Sequence, residues 1–168
     1  MTPKDAKDSD EENDEETVAS GQYASVILLG EAATEWRQLV ERATSNADTT
    51  SVREERALRR YFNRYAELGR TSLDEKMFKP QTRISTSSGA KVQVYEFKAY
   101  QFRIYGCETA RAGHRCFVGT SCDPKKKKDK ADPRRLKRAA EKFVEIENER
   151  ERKENERGFR QGGGRRAH

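Results

Sequence analysis

Between Val92 and Cys122 apolar and polar residues alternate with the two-residue period of a β-strand. The alternation forms three runs, Val92–Lys98, Tyr100–Cys107 and His114–Cys122. Side chains alternate across a strand, so each run commits to a two-faced sheet. The first gap is tight, and the second contains Gly113 and polar residues, as a hairpin loop should. One consistent assignment buries Tyr95, Phe97, Phe102, Ile104, Cys116 and Val118 beneath helices. The opposite face then carries Glu96, Lys98, Gln101, Arg103, Tyr105, Arg115 and Phe117. Cations there would hold phosphates, and Tyr105 or Phe117 would stack on bases. A plain solvated face also accounts for Lys and Arg. The run Lys125–Lys128, just past the third strand, shifts the balance toward a polyanionic partner, because four adjacent cations repel unless something neutralises them.

Charge is unevenly distributed over the 168 residues. Residues 1–16 hold eight Asp/Glu against Lys4 and Lys7, in a chain whose net charge is +6. The body is therefore strongly basic and the first segment acidic, which again points to a polyanion as partner. With 33% hydrophobic and 38% charged residues, the core must be small. No apolar run is long enough to span a bilayer, and the acidic start does not read as a targeting peptide. Three cysteines suit a reducing, cytoplasmic setting better than a disulfide framework. Cys107, His114, Cys116 and Cys122 lack the spacing of a zinc knuckle, so no metal is expected.

The rest of the chain supplies helices. Residues 1–20 read as an acidic disordered tail. Ala24–Leu29 reads as a short strand ended by Gly30. Glu31–Ala43 and Ser51–Leu68 each carry one apolar stripe, with Gly69 as the C-terminal cap of the second. An antiparallel helix hairpin would let both stripes share a core. Arg70–Ala90 reads as irregular. Asp132-Pro133 opens a last helix, with the acid as N-cap and Pro in the first turn. Its apolar face runs from Leu136 to Ile146. Residues 148–168 read as a charged helical extension and flexible basic tail, which leaves 21–147 as the domain.

The ordered set Ser25–Leu39, Tyr61–Gly69, Val94–Gly106, Phe117–Lys128 and Leu136–Ala139 resembles the RelE/HigB superfamily of bacterial toxin–antitoxin toxins, most closely its phage-derived HigB-like branch. The resemblance covers roughly residues 24–147 and is one of pattern rather than identity. It implies an α+β, RelE-like fold: a small antiparallel-dominated sheet on a two-helix hairpin, with a C-terminal helix. It implies a ribosome-dependent mRNA endoribonuclease, a hydrolase that needs no cofactor and uses attack by the ribose 2′-OH on the adjacent phosphate. The implied partners are mRNA on the ribosome and a cognate antitoxin, with no membrane. The implied catalytic residues are Lys98, Arg103, Lys125, Lys126 and His114, with His114 and Lys98 both open as the proton-transfer group. RNA contacts would come from Lys76, Lys79, Tyr105, Arg115, Phe117, Lys127 and Lys128. Two other readings stay open: a non-catalytic RNA- or ribosome-binding module, and a protein-interaction factor using the charged C-terminal helix.

Overall fold

The computed structural model describes residues 15–45, 48–126 and 130–162, the last with side chains to 158. Two strands come first, β1 (Glu16–Ser20) and β2 (Ala24–Leu28). Two helices follow, α1 (Gly30–Ser45) and α2 (Thr49–Leu68), then a 3-10 turn at Arg70–Ser72. Four strands come next: β3 (Phe78–Ser85), β4 (Lys91–Ala99), β5 (Phe102–Arg111) and β6 (His114–Asp123). The last described element is α3 (Pro133–Gly162). The described residues form an α+β fold, with three helices and one six-stranded sheet in the order β1-β2-β6-β5-β4-β3. Only β2 and β6 run parallel; the other neighbours are antiparallel.

Strand β2 explains its own position. All five of its residues are buried, because helices cover both faces of the sheet where it lies. Val26 and Leu28 face the helix hairpin, where they join Phe97, Phe102, Ile104 and Phe117 of the sheet and Trp36, Leu39, Leu58, Phe62 and Tyr65 of α1 and α2. Ile27 faces the other way, with Val94, Tyr105, Cys107, Cys116 and Val118, against Leu136, Ala139, Ala140 and Phe143 of α3.

Helix ends follow the sequence signals. Gly69 closes α2 with φ 86°, and its N–H bonds the Tyr65 carbonyl at 2.8 Å. Asp132 opens α3 by accepting the Arg134 N–H at 2.9 Å. The thirty residues of α3 span about 45 Å. The helix runs without a break through position 147, where its apolar face ends.

Three expectations are corrected. Residues 16–20 belong to the sheet as an edge strand against β2, so the tail covers less than 1–20; residues 1–14 lie outside the described set. Arg70–Ala90 contains β3, whose Pro80 is accommodated because β3 is an edge strand. The third correction concerns phase. Cys116 and Val118 lie under α3, and Phe117 lies under the helix hairpin. A bulge causes the reversal: Tyr105 pairs with Ser121, but Gly106 pairs with Gly119, so a single phase cannot hold along β6. The glycine pair at the bulge makes room for the Phe117 ring. A β-carbon on Gly106 would lie 2.2 Å from the Val118 carbonyl and 2.7 Å from that ring.

Candidate nucleic-acid interface

A two-residue turn at Tyr100–Gln101 joins β4 to β5 and fixes their register. Lys98 stands opposite Arg103, and Glu96 opposite Tyr105. The same rows continue into β6, where Arg103 meets Asp123 and Tyr105 meets Ser121. On β3, Lys79 stands opposite Glu96. Directly opposed side chains share a face, with β-carbons about 5 Å apart. One end of the sheet therefore carries a grid of Lys79, Glu96, Tyr105 and Ser121 beside Lys98, Arg103 and Asp123. It lies on the side that α3 packs against.

Glu96 is the hub of this grid and is fully buried. Gln81 donates to its Oε2, and Arg103 Nε lies 2.8 Å from its Oε1 as an ion contact without an aligned hydrogen bond. The Arg103 guanidinium also donates to the carbonyls of Tyr100 and Phe102. Lys126 reaches the same spot, its backbone N–H bonding the Gln101 carbonyl at 2.9 Å. Burial holds the Lys126 ammonium below its ordinary value of 10.5. Glu96 opposes that shift, and Arg103, Lys79 and Lys98 reinforce it. Four cations thus lie within electrostatic range of one another around one buried carboxylate.

The turn is held from beneath as well. The Glu54 carboxylate of α2 is buried beneath it, where the nearby backbone N–H groups of Phe102 and Gln101 favour its charged form, while its Oε2 has no hydrogen-bond partner among the described residues. Tyr100, at φ 55°, is 60% exposed at this turn. At the start of α3, Arg135 donates to the Cys122 carbonyl and forms ion pairs with Glu31 at 3.3 Å and Asp123 at 3.7 Å.

The expected site residues divide into groups. Lys79, Lys98, Arg103 and Lys126 converge. Lys125 is exposed one residue away, and Lys76 is exposed in the turn before β3, whose Met77 carbonyl accepts the Lys98 N–H. His114 does not join them. It sits opposite Arg111 at the far end of β5, about 27 Å along the strand from Arg103. Arg115 is at that end too, 4.0 Å from Glu108 on the helix-hairpin side. Tyr105 and Phe117 have no exposed surface, so neither ring is open to a base; burial also pushes the Tyr105 hydroxyl far up. Lys127 and Lys128 lie outside the described residues.

Sequence reasoning missed Glu96 as the hub, Asp123, Gln81 and the exposed ring of Tyr100. The signal was present: a two-residue turn centred on Tyr100–Gln101 pairs Lys98 with Arg103 and Glu96 with Tyr105 by arithmetic alone.

Among the described residues no group of three or more His, Cys, Asp or Glu is arranged to hold a metal. The three thiols are buried, and burial pushes Cys107 up to about 12, which makes it a poor nucleophile. No helix among the described residues is long and apolar enough to cross a membrane. Comparison of the chain with family models, with curated proteins and with solved structures returns no match.

Chemically, the grid suits a phosphodiester. Lys79 and Lys98, both half-buried, offer ammonium groups. Arg103 is locked by an acid and two carbonyls, so its charge is fixed in place rather than free to search. Preorganised positive charge of this kind stabilises charge that develops on a phosphate.

Proposed function

We propose that this protein is an RNA endoribonuclease of the RelE/HigB kind, acting on mRNA at the cationic end of the sheet. The observation that carries the reading is the convergence of Lys79, Lys98, Arg103 and Lys126, from four separate segments, around buried Glu96. In the proposed reaction the ribose O2′ attacks the adjacent phosphorus and the P–O5′ bond breaks. The O2′ proton passes to a base, and the departing O5′ gains one. Products are a 2′,3′-cyclic phosphate and a 5′-hydroxyl. Lys126 is the proton carrier in this reading, because burial and neighbouring cations bring its ammonium closer to neutrality. Lys79 and Lys98 hold the phosphate oxygens, and Arg103, oriented by Glu96, supplies fixed positive charge. Tyr100 is the exposed ring available to a base. His114 takes no part.

The test is cleavage of mRNA on translating ribosomes, with mapping of the new termini. Lys126→Met and Lys98→Met should each lower cleavage by about 100-fold or more, the usual contribution of a proton-transfer or charge-stabilising group. RNA affinity should fall by much less. Full activity in both variants would refute the assignment.

A second reading, a non-catalytic RNA-binding module, draws support from the burial of Arg103, Glu96 and Lys126, which leaves only Lys79 and Lys98 of the grid partly open to solvent. It predicts bound RNA with intact termini at every protein concentration.

A further inference from the structure

Helix α2 carries five arginines and no lysine. Arg59 pairs with Glu55 and lies over Trp36. The other four, Arg53, Arg56, Arg60 and Arg64, are all exposed. At 100° per residue they fall within about 80° of arc, along about 16 Å of helix. This stripe lies opposite the side of α2 that buries Leu58, Phe62 and Tyr65. Among the described residues none of the four has a carboxylate partner; Arg60 touches only the Tyr61 ring.

Successive members are three or four positions apart, the spacing at which like charges on a helix repel. The nearby acids do not relieve them. Glu54 is buried against the β4–β5 turn, and Glu55 is taken by Arg59. The row costs the free protein a little stability, and no carboxylate among the described residues pairs with it to offset that cost. Arginine is also the cation whose planar fork matches phosphate oxygens two at a time.

We infer that this stripe is a second RNA-backbone contact, gripping phosphates without regard to sequence. It lies on the opposite side of the molecule from the Lys98–Lys126 grid. A ribosome-sized or folded RNA could engage it while a single strand occupies the grid. The inference shares with the proposed function only the class of partner and requires no cleavage. An acidic peptide is the competing occupant, and residues 1–16 of this chain are the obvious instance.

The experiment measures binding of the full chain to a 20-nucleotide RNA between 50 and 200 mM salt. The R53Q/R56Q/R60Q/R64Q variant should lose about three units of log–log salt slope, which shrinks the affinity drop over that range by about 50-fold. Its Tm should rise, since the repulsion is gone. The matching fourfold Arg→Lys variant should recover most of the slope. Lys98→Met/Lys126→Met is run in parallel: absence of cleavage in every protein would refute the nuclease reading and leave the slope result standing. An unchanged slope in the Gln variant overturns the stripe. So does competition in which a synthetic peptide of residues 1–16 binds through these arginines and RNA does not.

Discussion

At the end of the sheet that carries the grid, the two faces are built on opposite principles, although one peptide step separates them. On the helix-hairpin side Phe97 sits among four rings: Phe62 at 5.0 Å, Tyr65 at 5.7 Å, Phe78 at 4.7 Å and Phe117 at 4.8 Å. Its chain neighbours Glu96 and Lys98 point the other way, into an ionic net. The apolar face gains stability from burial and close packing. The ionic face gains little net stability, because removing charges from water offsets their attraction. A tightly packed lower layer is therefore what lets the upper layer hold so many charged groups in fixed positions. Between Glu96 and Lys98, packing and charge are divided between alternate residues of the same strand.

The largest expected effect tests the lower layer. Phe97→Ala should cost about 3–5 kcal/mol in urea unfolding, the range for deleting a buried ring. A loss below about 1 kcal/mol would mean that the aromatic stack does not carry the fold. The next effect tests the upper layer. Glu96→Ala leaves the Arg103 charge buried without its acid and should cost about 3 kcal/mol. The low end of the usual range applies because two carbonyls still accept from the guanidinium. Replacing both partners, as Glu96→Leu with Arg103→Met, should restore stability to within about 1 kcal/mol of the parent. The double variant should still lose RNA binding. Recovery of both properties would erase the distinction drawn between the two faces.

How much of this was legible in the chain depended on local rules. The caps at Gly69 and Asp132 and the apolar stripes of α1 and α2 follow from spacing and backbone preference, which need no tertiary information. Phe97, Phe102 and Ile104 were assigned to the correct face because β4 and β5 are joined by a short turn. Phe117 and Cys116 were assigned wrongly because the bulge at Gly106 is a property of the strand pair, not of either strand alone. Edge strands β1 and β3 were missed for a related reason. Edge strands are polar and irregular, as edges that resist further pairing tend to be, so their alternation is weak. The convergence of Lys79, Lys98, Arg103 and Lys126 was half visible. Their types and strands could be read, but the acid at their centre could not, since a lone Glu among cations on a strand reads as solvated.

The smallest effect concerns the link between the two layers, where Glu54 reaches from the helix hairpin to the β4–β5 turn. Burial raises its carboxyl above the ordinary 4.5, while bonds from the Phe102 and Gln101 N–H groups and the charge of Arg42 pull it down. A carboxyl whose folded value lies above its unfolded one binds its proton more tightly in the native state. The contribution to stability is fully present below about pH 4.5 and is lost as pH rises through the folded value. Above that point the charged group is carried at constant cost. Glu54→Gln keeps an acceptor for the turn and removes the charge, so its urea midpoint relative to the parent should climb through this window and then level off. Glu54→Ala should do the reverse at neutral pH. It empties the space beneath the Gln101 and Phe102 N–H groups, costs about 1–3 kcal/mol, and loosens Tyr100 and Arg103 together. A flat difference between Gln variant and parent from pH 4 to 8 would mean that Glu54 is already solvated. The turn beneath the cationic grid would then be held from above alone, by Arg103 and the Lys126 backbone.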